Sequence, residues 1–171
     1  MLRRLALALL LAAPPALAPA AVFLDTSVED VARDSEAVLE GRVMRKASHL
    51  SRDGRTIWTE VEIAVSAAWR GAPEDFVKLA VPGGRVGDLA QRVDAAPAFA
   101  EGERVVVFVT RRGAYWQLAG LALAKYRVEG GRAVPDLQEA SFLPRALRAG
   151  ERRVEAMALD ELRARVRGVD R

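Results

Sequence analysis

Ile57-Trp58-Thr59-Glu60-Val61-Glu62-Ile63-Ala64-Val65 is the stretch that decides the fold. Ile57, Thr59, Val61, Ile63 and Val65 share one side of an extended chain; Trp58, Glu60, Glu62 and Ala64 share the other. A period of two marks a strand with one buried face. Just before it, Ser51-Arg52-Asp53-Gly54-Arg55 has hairpin-turn chemistry, since Asp-Gly accepts positive φ. Ahead of the turn, Ala37 to Ala47 reads as the partner strand. Leu39 and Val43 are expected to face the core, with Gly41 between them allowing a bend.

Further strands follow on the C-terminal side. Trp69-Arg70-Gly71-Ala72-Pro73 closes the first pair and Phe76 to Val81 forms a third strand. Arg104 to Thr110 is continuously apolar between its ends, which predicts a central strand. Tyr115–Leu118, Lys125–Glu129 and Arg132–Val134 complete the set, with Gly130-Gly131 as a two-residue hairpin turn between the last two. A helix is expected at each end. Ser27 can accept from the backbone N–H of Asp30 and cap a short helix running to about Ser35. Leu159, Leu162, Val166 and Val169 form one apolar stripe behind an acidic start at Asp160 and Glu161. Short, closely spaced strands with flanking helices predict a mainly β chain folded as a small closed or partly open barrel.

Residues 82–102 are too long for an ordinary connection, so this segment is expected either to be functional or to hold a short helix. Composition narrows the chemistry. The 171 residues include no Cys and one His, which excludes disulfides, thiol nucleophiles and multi-histidine metal sites. A hydrophobic content of 51% with 29% charged residues is that of a folded domain.

The first 20 residues read as a secretory signal. Arg3 and Arg4 form a basic start, Leu5 to Ala13 an apolar run too short to span a bilayer, and Ala18-Pro19-Ala20 a small-x-small cleavage site. Residues 21–171 are then expected to form a single domain, exported to the periplasm or beyond. Cleavage would remove two arginines and leave 24 basic against 23 acidic residues, so the pI of about 9.8 says little about nucleic acid. No nucleic-acid partner and no membrane span after cleavage are expected.

The succession Pro82, Gly83, Gly84, Gln91, Pro97, Phe99, Gly102, Glu103 and Val105 resembles a pattern carried by a group of exported bacterial proteins, Pro-Gly-Gly…Gln…Pro-x-Phe…Gly-Glu-x-Val. More distantly, the order of elements is similar to the netrin-like OB barrel of tissue inhibitors of metalloproteinases. That resemblance implies an OB-like barrel and a protease as one possible partner. Those inhibitors chelate the protease zinc through an N-terminal cysteine, and with no Cys in this chain the mechanism does not carry over to Ala21.

His49, the only histidine, would have to serve any Ser-His-acid triad, but no nucleophile elbow surrounds it and an exposed loop histidine is the simpler reading. Glu60 and Glu62 beside Trp58 could line a carbohydrate-binding face, or be the solvated side of a strand. Gly83-Gly84-x-x-Gly87 matches neither phosphate-binding fingerprint, and there the glycines serve the backbone or a binding loop. Trp58, Trp69, Tyr115, Trp116 and Tyr126 could form a stacking platform or pack in the barrel. The arginine-rich C-terminal helix fits docking onto the barrel better than a membrane surface. The leading expectation is a non-catalytic, cofactor-free and metal-free module that engages an exported protein through Gly83, Gly84, Arg85, Gln91, Arg92 and Phe99. The alternatives are an envelope carbohydrate-binding module using Trp58, Glu60 and Glu62, and a hydrolase relying on His49.

Overall fold

Two long strands, β2 (Ala37–Leu50) and β3 (Ile57–Arg70), carry the architecture of this computed structural model, which describes residues 21–24, 26–71, 74–137, 140–143 and 146–169. Residues 1–20, where a leader and its cleavage site are expected, fall outside these residues. The remaining strands are β1 (Ala21–Leu24), β4 (Phe76–Pro82), β5 (Gly84–Val86), β6 (Leu89–Gln91), β7 (Arg104–Arg112), β8 (Tyr115–Leu118), β9 (Lys125–Glu129), β10 (Arg132–Pro135), β11 (Ala140–Leu143) and β12 (Met157–Ala158). The helices are α1 (Val28–Arg33) and α2 (Leu159–Gly168), with a 3-10 turn at Leu121–Ala124. The chain is mainly β.

The pairings close a ring of five strands, β2–β3–β4–β8–β7 and back to β2. Every contact in it is antiparallel except β4–β8, which is parallel and rests on the single pair Leu79–Trp116. The far edge of β7 is divided: residues 109–112 pair with β8, and residues 105–107 with β9. From β9 the sheet runs on through β10 to β12. β1 and β11 form a separate parallel pair, and β5 and β6 a separate hairpin.

This fork explains the unbroken apolar run of β7, which is buried on both faces. Val105, Val107 and Val109 point into the ring, where they meet Leu39, Val43, Ile63 and Leu79. Val106 and Phe108 point to the other side, where α1 and α2 cover them with Val31, Leu162 and Val166. Both helices form as their sequences predict. The Ser27 side chain accepts from the Asp30 N–H at 3.0 Å, and the buried residues of α2 are Leu159, Leu162 and Val166.

β2 extends past the expected Ala47 to Leu50, and it does not hide only one parity. Val38 and Glu40 are buried as fully as Leu39 and Val43. The alternation itself holds over this stretch: Leu39 and Val43 join the ring core, Val38 joins the helix-side core and Glu40 meets Arg163 of α2, so β2, like β7, is covered on both faces; register shifts at Val38/Leu39, Glu40/Gly41 and Val43/Arg45 bend it. Gly41 sits in the bend because no larger residue fits: a Cβ there would lie 2.6 Å from Ile63 Cγ2 and closer still to the Ala64 carbonyl oxygen. Residues 82–102 hold the β5–β6 hairpin rather than a helix, and no helix among the described residues is long and apolar enough to cross a membrane.

Candidate functional site

Trp58 is the second residue of β3, opposite His49 of β2 on one side and Pro82 of β4 on the other. Its parity turns it out of the ring, and neighbours hold it there. The His49 ring lies 4.8 Å from Trp58 centroid to centroid, and Tyr115 meets Trp58 edge-on at 5.1 Å. Tyr115 is the first residue of β8. It meets Trp58 across the parallel seam that sets Trp116, its neighbour in β8, beside Leu79 in the middle of β4.

Over this seam opens a cleft of about 490 Å³. Trp58, Tyr115 and Pro82 form its apolar wall, Gln117 supplies an amide, and Leu121 closes one end. Leu121 has φ +50°, a left-handed conformation that a branched side chain rarely takes. Such backbone strain costs roughly 1–3 kcal/mol and gathers at ligand-contacting positions.

Glu60 and Glu62 share this outer face but form no free acidic pair. Glu60 lies 3.2 Å from Lys78 and 3.9 Å from Arg45, and Glu62 lies 3.5 Å from Arg45. They are rungs of a charge ladder beside the cleft. His49 is exposed, and its sequence neighbours are occupied elsewhere: Ser48 bonds Thr59 at 3.0 Å and Ser51 bonds Asp53 at 2.6 Å. Among the described residues no cluster of three or more His, Asp or Glu could hold a metal ion.

The loop residues singled out by sequence divide. Gly83 and Gly84 serve the backbone, with φ +90° and +136°. A Cβ on Gly84 would stand 2.5 Å from Thr59 Oγ1 and closer to Ser48 Oγ. The Gln91 side chain accepts from the Ile57 N–H at 2.5 Å and pins the hairpin to β3. Phe99 is buried under the ring core, with Lys125 Nζ 4.5 Å from its ring centre and its carbonyl accepting from Lys46 Nζ at 2.9 Å. Only Arg85 and Arg92 stay exposed. Gly84→Ala is therefore expected to lower stability by about 2 kcal/mol in a denaturant titration, through overpacking and a strained φ. Gly87→Ala, with open space around its Cβ, should lose only the strain of a left-handed alanine at φ +57°, about 1 kcal/mol.

The five aromatics of the suggested platform separate as well. Only Trp58 and Tyr115 line the cleft. Trp69 and Tyr126 belong to the helix-side core, and Trp116 packs against the ring core with the Arg111 guanidinium 5.2 Å from its ring centre.

Two buried charges, Glu40 and Lys125, carry no signal in the sequence, because a charged residue in a strand normally marks a solvent-facing position. Lys125 bonds Glu103 at 2.9 Å and the Ala98 carbonyl, and so fastens residues 98–103 over the ring. Glu40 accepts from Arg104, Arg163 and Trp69. Burial pushes the Glu40 carboxyl up, but the bonds and charges of Arg104 and Arg163 outweigh burial and hold it below the usual carboxylate range.

No protein-family model matches this chain, and no curated protein matches it.

Proposed function

We propose that this chain is an exported, non-catalytic binding module built on an OB-like barrel, and that it takes a saccharide against Trp58 and Tyr115. The five-strand ring, with its one parallel contact between the third and fifth strands, supports the OB-like reading. The export reading rests on residues 1–20. The observation that carries the function is the half-buried Trp58–Tyr115 pair, fixed edge to face beside a large apolar cleft. Aromatic faces pack against the C–H faces of sugar rings, while amide and carboxylate groups at the rim receive the hydroxyls. Gln117 supplies that amide in the cleft lining. In such barrels the loops next to this face bind oligosaccharides and oligonucleotides. The near-balanced charge of residues 21–171 favours the neutral ligand.

The test is co-sedimentation of residues 21–171 with chitin and with bacterial cell-wall sacculi. The wild type should be retained on at least one, and Trp58→Ala should weaken retention about tenfold or more with an unchanged melting curve. Equal retention of both proteins, or no retention on either material, would overturn the reading.

One observation favours a second reading, a protein contact through residues 82–102. Leu89, at the tip of the β5–β6 hairpin, is 58% exposed, with Arg85 on the partner strand. A partner protein retained by immobilised wild type and lost with Leu89→Ser would support it. Retention that ignores Leu89 would dismiss it.

A further inference from the structure

A second concave surface lies on the opposite flank of the β2–β3 bend, against α2. It is a trough of about 560 Å³. Gly41, Ala64 and Ala67 give it a floor of small residues, and Arg42, Arg104 and Arg163 line it. Met44, 50% exposed, stands on its rim.

The arginines are fixed by a buried counter-charge. One Glu40 oxygen accepts from Nε of Arg104 at 3.0 Å and from its Nη2; the other accepts from Arg163 Nη2 at 3.0 Å and from Trp69 Nε1 at 3.3 Å. Four donors thus saturate one carboxylate. Arg163 is held further by Trp69, whose ring centre is 5.2 Å from the guanidinium. Arg104 nevertheless keeps 45% of its side chain exposed and Arg163 31%. Among the described residues Arg42 donates only to a neutral group, the Gly102 carbonyl, at 2.6 Å. Asp160, itself exposed, pairs with Arg163 at 2.9 Å. Three guanidiniums therefore face one buried and one exposed carboxylate, which leaves the trough positive.

A latch for α2 needs no such arrangement. Burying a charge is costly, and an apolar contact of the same volume holds a helix at least as well. What a buried carboxylate does supply is orientation: it locks guanidinium forks in place before a ligand arrives. Arginine forks suit carboxylates, which they bind bidentately.

We propose that this trough is a second binding site, which takes the carboxylate side chain of an acidic segment of a protein partner while a neighbouring apolar side chain of that segment rests on Met44. Charge complementarity selects an anion, and the exposed thioether beside it selects an anion carried on an apolar-containing chain rather than a bare ion. The site is independent of the aromatic cleft.

The probe is a fluorescent hexapeptide with two glutamates flanked by leucines, followed by anisotropy at low ionic strength. Its controls are the glutamine counterpart of the peptide and competition by inorganic phosphate. The acidic peptide should bind wild type. Arg42→Gln and Met44→Ser, both exposed positions outside the Glu40 network, should each weaken it about fivefold or more, and the glutamine peptide should not bind. Trp58→Ala should leave peptide binding unchanged, so that failure of the cleft reading and of this one are told apart. No binding, equal binding by Arg42→Gln, or phosphate competing as well as the acidic peptide would overturn the proposal; the last would mark a site for small anions only.

Discussion

Glu40→Ala is expected to destabilise the fold by about 3 kcal/mol, the low end of what breaking a buried ion pair costs. The low end applies because Arg104 is partly solvated, at 45% exposure. The substitution removes the one carboxylate that Arg104, Arg163 and Trp69 share, and leaves two guanidiniums facing each other beside an unpaired indole N–H. The effect should also depend on pH. The folded-state carboxyl is held below its ordinary value, so its contribution is present above the unfolded pKa of about 4.3. It is lost as pH falls through the lower folded-state pKa. Stability measured by denaturant at neutral pH should therefore differ strongly between wild type and Glu40→Ala, and the gap should shrink in acid. A gap that stays constant down to the acid limit would show that the carboxylate's charge contributes nothing.

Phe108→Ala should cost about 3–5 kcal/mol, the usual range for truncating a buried phenylalanine. Phe108 is fully buried on the helix side of β7, and its ring centroid lies 6.0 Å from that of Tyr126. Strands on one side and helices on the other leave no route for the site to collapse, so the cavity stays open. For a domain of this size the loss corresponds to a melting point lower by roughly 6–20 °C. Phe76→Ala, at an exposed position on β4, should change stability by less than about 0.5 kcal/mol. A shift of only a degree or so in Phe108→Ala would contradict its place between sheet and helices.

Much of this fold is legible in the sequence where local rules act without competition. The alternation of Ile57 to Val65, the Ser27 cap and the stripe of Leu159, Leu162 and Val166 all appear in the structure. So does the turn at Gly130-Gly131, between β9 and β10. The burial of Val38 and Glu40 is not legible, because it comes from the helices that cover the second face of β2, and α2 lies more than a hundred residues further along the chain. The seam between β4 and β8 leaves no local signal either. It rests on one pair 37 positions apart in the chain, Leu79 and Trp116. Yet that seam creates the cleft, since it brings Tyr115 to Trp58.

The candidate site was accordingly half visible. Trp58, Glu60 and Glu62 share a face by parity alone, but nothing in the pattern separates Tyr115, which turns outward, from Trp116 beside it, which packs inward. The glycines of residues 82–102 attract attention as a binding loop. Their demand is steric, as the crowding of Gly84 by Ser48 and Thr59 makes plain.

Residue-resolved shift mapping is the direct test of saccharide binding in the aromatic cleft. Residues 21–171, labelled with nitrogen-15, would be titrated with a soluble N-acetylglucosamine tetrasaccharide. Saturable shifts of the Trp58 indole N–H and of the Tyr115 and Gln117 amides are expected, with Gly84 to Gln91 undisturbed. Shifts confined to the β5–β6 hairpin, or no shifts at the highest sugar concentration, would contradict binding in the cleft.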